Sequence, residues 1–286
     1  MGWVVGGVRI TRVVEFVMPL GIEFFAAATP ADVAAQGWLV PEFVDPAGRL
    51  LVSLHSYVLE VGGRRILVDT CVGNGKSRPT LPAFDRQDRP FLASLAAAGF
   101  APETIDTVVC THAHVDHVGW NTNLVDGRWV PTFPRARHLI AAADLERWAG
   151  SDDPLHGAAF ADSVRPVIEA GLVDPVTGAM VVAPGVELRP TPGHTPGHQC
   201  VWIRDDCVIT GDVLHHPIQC AHPDWAARGD LDPDRARATR RELLHTAAAT
   251  GALVLGTHFA GTSAGRILVT VGEYRFAPEA RPGSGG

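Results

Sequence analysis

The stretch Thr111-His112-Ala113-His114-Val115-Asp116-His117-Val118-Gly119 constrains this chain more than any other. It follows the apolar run Thr107-Val108-Val109-Cys110, so three histidines and a carboxylate stand on the turn that leaves a strand. Buried groups of this kind cost free energy unless each finds a partner. A chance cluster or a helix cap is the plain alternative. Against it, His112, His114, Asp116 and His117 cannot all be satisfied core groups on one short loop without a shared partner. A metal ion is such a partner, and imidazole suits zinc and its first-row neighbours, whereas an oxygen-only set would suit magnesium or calcium. One turn does not complete a coordination sphere, so the fold must bring ligands from elsewhere.

A chain of 286 residues with 46% hydrophobic composition can bury a substantial core. The formal charge of −7 argues against a nucleic-acid partner, which usually requires a basic face. The basic run from Arg235 to Arg241 reads more simply as a solvated helix face. No apolar run approaches the roughly 20 residues of a membrane-spanning helix, and the N-terminus lacks a secretory pattern, so the expectation is a cytoplasmic protein with no membrane partner. The five cysteines (Cys71, Cys110, Cys200, Cys207, Cys220) form no Cys-x-x-Cys pair and read as reduced, buried thiols.

Along the chain, Arg9 to Val17 reads as a first strand. Residues 18–50 lose periodicity but carry Phe24, Phe25, Trp38 and Phe43, either as core anchors of a surface loop or as an arm that walls a pocket. Leu51 to Val61 and Arg64 to Val68, joined by Gly62-Gly63, read as a hairpin with a primed turn. Gly73-Asn74-Gly75-Lys76-Ser77 resembles the end of a phosphate loop, but Thr70 stands where that loop needs glycine, which excludes it. Pro90 to Ala98 is a helix stopped by Gly99, Asn121 to Pro134 a loop with an Asp126-Gly127 turn, and Arg137 to Ala141 a strand. Ala143 to Ala149 and Pro154 to Ala170 read as helices, and residues 143–175 as an insertion over the site. Val181 to Arg189, Cys200 to Ile203, Cys207 to Thr210, Leu253 to Gly256 and Ile267 to Val271 return to strand character. Asp232 caps a helix that begins with Pro233 and ends near Thr250 before Gly251. Residues 1–276 are expected to form a single domain without a linker, and the Pro/Gly-rich tail 277–286 to be disordered.

Ligand-type residues recur where second-half strands end: Thr191-Pro192-Gly193-His194-Thr195-Pro196-Gly197-His198, Thr210-Gly211-Asp212 and Gly256-Thr257-His258. On His112 to His117 with the later His194, Asp212 and His258, the chain resembles the metallo-β-lactamase superfamily over about residues 50–260, nearest its lactonase and methyl-parathion-hydrolase-like branch. The resemblance implies an α/β fold, the αββα sandwich of two mixed β-sheets flanked by helices. It also implies two divalent ions, zinc first with Fe, Mn or Co as alternatives. One would be held by His112, His114 and His194, the other by Asp116, His117 and His258, with Asp212 between them. Asp69 takes the family's early Asp-Thr-Gly position and would support the ligands, although Cys71 stands where the family has glycine.

Two cations roughly 3.5–4 Å apart can share a hydroxide, lowering its pKa to give a nucleophile at neutral pH, and can polarise a carbonyl or phosphoryl oxygen. Asp116 is a candidate to carry a proton to the leaving group. His215 stands where lactone-hydrolysing relatives carry a tyrosine and methyl-parathion-hydrolase-like relatives a histidine. It either donates to the developing oxyanion or merely packs under its loop. His198, His138, His55 and His222 read as structural. Gly261-Thr262-Ser263-Ala264-Gly265 matches a nucleophile elbow, but a strand follows it and no histidine does. The expected function is hydrolysis of small esters, lactones first. The alternatives are a phosphotriesterase, a glyoxalase-II-like thioesterase and a di-iron oxidoreductase. The expected partner is a small ester or lactone; the oligomeric state stays open, a homodimer included.

Overall fold

The computed structural model describes residues 1–270 and 272–279. Val271, where the last expected strand was to end, and residues 280–286 of the expected disordered tail lie outside the described residues. The chain divides into two compact units, each built from segments far apart in sequence. The first joins Gly2–Phe16 to Leu54–Pro184, and the second joins Val17–Ser53 to the chain from Gly185 onward. The boundaries fall inside two long strands and at Pro184-Gly185, which is why no linker is visible in the sequence.

The first unit contains β1 (Gly2–Val5), most of β2 (Val8–Leu20), most of β3 (Leu50–Val61), β4 (Arg64–Val68) and β5 (Thr107–Val109). It continues with β6 (Thr122–Val125), β7 (Arg128–Pro131), β8 (Arg137–Ala141), β9 (Val173–Val176) and β10 (Met180–Ala183). Its mixed sheet has the order β1-β2-β3-β4-β5-β8-β9. Gly62 and Gly63, at φ 57° and 76°, make the β3–β4 turn that the sequence predicts, with Val61 opposite Arg64. β5 lies parallel to both β4 and β8, and its fully buried Val108 and Val109 explain its unbroken apolar run.

The second unit has β11 (Val186–Pro190), β12 (Gln199–Ile203), β13 (Cys207–Ile209), β14 (Leu253–Leu255), β15 (Ala264–Thr270) and β16 (Glu273–Pro278), in that spatial order. The β13–β14 pair is parallel and the others are antiparallel, so this sheet is mixed too. Its core joins Phe25, Leu39 and Phe43 of the 18–50 segment to Trp202, Leu214, Leu244 and Phe259. The aromatics of that segment are therefore core anchors.

The helices are α1 (Pro30–Ala35), α2 (Phe91–Ala97), α3 (Ala142–Trp148), α4 (His156–Ala159), α5 (Arg165–Glu169), α6 (Ile218–Ala221) and α7 (Pro233–Thr250). α7 matches its sequence signals: the Asp232 side chain accepts from Arg235 N–H at 3.0 Å, Pro233 opens the helix, and Gly251 closes it at φ 66°.

Three expectations are corrected and one is refined. Asn121 to Pro134 is not a plain loop, since β6 and β7 pair across Asp126-Gly127. Val181 to Arg189 is two strands, because the Pro184-Gly185 turn, with Gly185 at φ 77°, interrupts the apolar alternation. The expected helix over 154–170 forms over 156–169, as α4, a π-type stretch at Phe160–Val164 and α5; Pro166, which lacks an N–H, stands in the first turn of α5. Finally, Ala277 and Pro278 are not tail: they pair with Arg266 and Gly265 in β16.

Candidate metal centre

In the first unit, β5 delivers the histidine turn, and the loop after β4 holds it. Asp69 Oδ1 accepts from Thr111 N–H at 2.7 Å, and Asp69 Oδ2 accepts from Thr111 Oγ1 and from His117 Nδ1, both at 2.9 Å. A carboxylate on one ring nitrogen fixes the tautomer and leaves the other to ligate. Asp69 and Cys71 take positive φ values of 58° and 48°. The position where the family pattern has glycine thus retains the backbone glycine favours, with Cys71 buried against Ser56 Oγ at 3.3 Å. Gly119 is required by proximity: a Cβ there would stand 1.9 Å from the Val72 carbonyl oxygen. Beneath the turn, buried Glu15 accepts from Val72 N–H, Gly73 N–H and Trp120 Nε1. Burial raises its pKa, and these hydrogen bonds oppose the rise.

The rings of His112 and His114 are 4.7 Å apart and those of His112 and His117 3.9 Å apart; all three residues are buried. Asp116 is partly exposed, its Oδ1 3.8 Å from His117 Nε2. The first part of the 143–175 segment packs on this turn. Buried Asp144 of α3 accepts from Ala113 N–H at 2.9 Å, and the His156 ring stacks on His114 at 4.1 Å. Neither residue belongs to a sequence pattern that would have marked it.

In the second unit, Asp212 is the hub. His258 Nε2 lies 3.1 Å from its Oδ1, while His194 Nε2 and His215 Nε2 lie 3.3 and 3.2 Å from its Oδ2. One ligand atom each from His194, Asp212 and His215 falls within a 4.8 Å group, and all three residues are buried. Buried imidazoles gathered on a carboxylate fit a divalent transition metal. His258 is tied to β3 by Ser53 N–H, which donates to its carbonyl at 2.9 Å. His198, expected to be structural, does more than pack: its Nε2 accepts from Asp212 N–H at 2.8 Å, and its Nδ1 lies 2.8 Å from Thr191 Oγ1.

His215 is held by Gln219, whose Oε1 accepts the His215 N–H at 2.7 Å, and its ring meets Phe24 edge-on at 5.1 Å. The 18–50 segment thus anchors the core and places Phe24 against the His215 imidazole beside Asp212. Burial lowers the pKa of His215, with Asp212 pulling the other way. Asp230, absent from the sequence reading, binds His194 Nδ1 at 2.9 Å.

Two sequence patterns set aside earlier are accounted for. Lys76 is buried on Thr122 Oγ1 at 2.6 Å and is unavailable to a phosphate. Ser263 is fully buried at φ 57° and precedes a strand, unlike an elbow nucleophile.

The family profile of the Metallo-beta-lactamase superfamily matches residues 51–258. The chain belongs to the metallo-beta-lactamase superfamily. Among individual superfamily relatives, an N-acyl homoserine lactonase of a Bacillus species is 28% identical over 181 residues, 59% of this chain and 64% of that protein. An atrochrysone carboxyl ACP thioesterase of Aspergillus fumigatus is 30% identical over 174 residues, covering 60% of this chain and 44% of the relative. The chain thus spans less than two thirds of the length of these relatives. Among solved structures, AidC, a dizinc quorum-quenching lactonase in complex with a product, superposes with TM-score 0.79 at 19% identity, covering 99% of this chain and 98% of that one. The hydrolase AbOPH gives TM-score 0.78 at 21% identity, with 98% and 97% covered. These likenesses show the metallo-β-lactamase fold, as the sequence resemblance implies. Among the described residues, no helix is long and apolar enough to cross a membrane.

Proposed function

We propose that this chain is a metal-dependent hydrolase of small ester-type substrates, lactones first. It would hold two divalent ions, zinc first, through His112, His114, Asp116, His117, His194, Asp212 and His258. The observation that carries this reading is the setting of Asp212. Its two oxygens face different histidines, Oδ1 toward His258 and Oδ2 toward His194, so this carboxylate could serve both ions. When bound, such a pair supplies a water of lowered pKa and polarises the scissile carbonyl.

The chain's own residues supply the rest. Asp69 orients His117 and Asp230 orients His194, while His198 fixes the backbone of Asp212. His215 donates an N–H to oxygen charge that develops on the substrate. Asp116, partly exposed, carries a proton to the departing oxygen. Phe24 and Phe25 cover His215, excluding water from that side and presenting an apolar wall. The named Bacillus and AidC relatives support a lactone; the Aspergillus relative supports a thioester as the second reading. Five buried cysteines outside any disulfide support a reducing compartment such as the cytoplasm.

The test is a pH-indicator assay of zinc-loaded protein across lactones, aryl esters, thioesters and phosphotriesters, with elemental analysis alongside. The expected result is close to two metals per chain and fastest turnover of lactones. Inactivity on every class would sink the hydrolase reading. Asp212→Ala should lose metal and turnover together.

A further inference from the structure

Asp230 lies outside every motif, yet it is buried at the junction of three donors. Its Oδ1 binds His194 Nδ1 at 2.9 Å, and its Oδ2 accepts from Ala227 N–H at 2.9 Å and faces Arg240 at 3.5 Å. Arg240 is itself fully buried. Its Nε–H donates to the carbonyl of Val213, the residue after Asp212, at 2.8 Å. Its remaining donors reach the carbonyls of Pro223 and Trp225 at 2.9 and 3.0 Å. One guanidinium therefore ties the turn of His194, through Asp230, to the turn of Asp212.

The backbone is moulded to the same end. Leu231 N–H donates to the His194 carbonyl at 3.0 Å and Asp232 N–H to the Gly193 carbonyl at 2.9 Å. A Cβ on Gly193 would stand 2.3 Å from Ala236 N, so the start of α7 lies directly on the turn.

A buried ion pair is weak evidence for stability, since apolar side chains of similar volume would serve a helix contact as well. An apolar pair could not select a histidine tautomer. An amide at 230 could keep its oxygen on His194 only by turning its NH₂ toward Ala227 N–H and Arg240, so it could not serve all three converging donors. We propose, building on the metal-centre reading above, that Asp230 and Arg240 are a positioning pair. Asp230 holds the proton of His194 on Nδ1 so that Nε2 ligates, and Arg240 keeps that turn in register with Asp212.

The experiment measures Zn²⁺ affinity by chelator competition and the visible spectrum of the Co²⁺-substituted full chain, with thermal melting of each metal-free protein. Asp230→Asn should weaken metal binding by ~10–100-fold and change the Co²⁺ spectrum. Arg240→Lys, which keeps the charge but cannot span the same carbonyls, should weaken binding less and supplies the answer if Asp230→Asn does not fold. Thr239→Val is the structural control. It removes only the bond from Thr239 Oγ1 to the Pro192 carbonyl, at 2.7 Å, and should lower the melting temperature without moving affinity or spectrum. Wild-type affinity and spectrum in both Asp230→Asn and Arg240→Lys would overturn the positioning role. Failure of the unmodified chain to bind metal would instead overturn the metal-centre reading beneath it.

Discussion

At the scale of single residues, the chemistry turns on which polar atoms meet at Asp212. His215 is close enough to Asp212 Oδ2, at 3.2 Å, to be either a ligand or a hydrogen-bond donor to substrate. The two roles separate under mutation. If it donates, His215→Ala lowers kcat by ~10²–10³ while the metal content stays at the wild-type value. Steady-state kinetics with elemental analysis decides, and loss of a metal with the ring would make it a ligand. Phe24 is half-buried against the same imidazole. Phe24→Ala should raise KM about tenfold for substrates with a long apolar acyl chain and leave short-chain substrates nearly unchanged, since about 1.4 kcal/mol of lost apolar contact is a factor of ten. An equal change for both chain lengths would contradict a wall role.

Among elements, the β6–β7 hairpin shows how the fold secures a piece too small to stand alone. Lys76 donates to Thr122 Oγ1 and to the Asp162 carbonyl at 2.6 and 3.2 Å, and lies 3.6 Å above the Trp129 ring. Beside it, Arg78 makes a two-pronged pair with Asp162, both bonds at 2.8 Å. Burial, opposed by Asp162 and reinforced by Arg78, lowers the Lys76 pKa to about 7. The unfolded chain, with an ordinary lysine pKa near ~10.4, binds more protons at that site over the interval between the two values. Stability from this site is therefore gained as pH rises from about 7 toward about 10 and is lost as pH falls through about 7. Denaturant unfolding at about pH 6.5, 8 and 9.5 should show this gain in the wild-type chain and a flatter profile in Lys76→Met. Parallel profiles would refute the assignment.

For the whole molecule, the proposed metals would be part of the folding free energy, because a site assembled from distant segments does not exist in the unfolded chain. Removing metal with a chelator should lower the melting temperature by several degrees, and zinc should restore it. Calorimetry checks this, and an unchanged melting temperature would mean that the folded chain does not bind metal. Reductant should leave the temperature unchanged, since the five cysteines are buried and form no disulfide.

The sequence by itself determined the elements whose causes are local and marked the candidate ligands. The Gly62-Gly63 hairpin, the cap and stop of α7 and the spacing of His112, His114, Asp116 and His117 each depend on residues a few positions apart, and family resemblance added His194, Asp212 and His258. It read less well where short elements compete on nearly equal local terms. The four-residue strands β6 and β7 looked like loop, and the alternation across Pro184-Gly185 concealed a break between β10 and β11. Only the tertiary structure decided what supports the candidate ligands. Asp230 meets His194 across 36 positions of chain, and Asp144 meets Ala113 across 31. No period or motif spans those separations. They exist because packing α7 and α3 against strand-end turns leaves buried N–H groups and imidazoles that must find carboxylates.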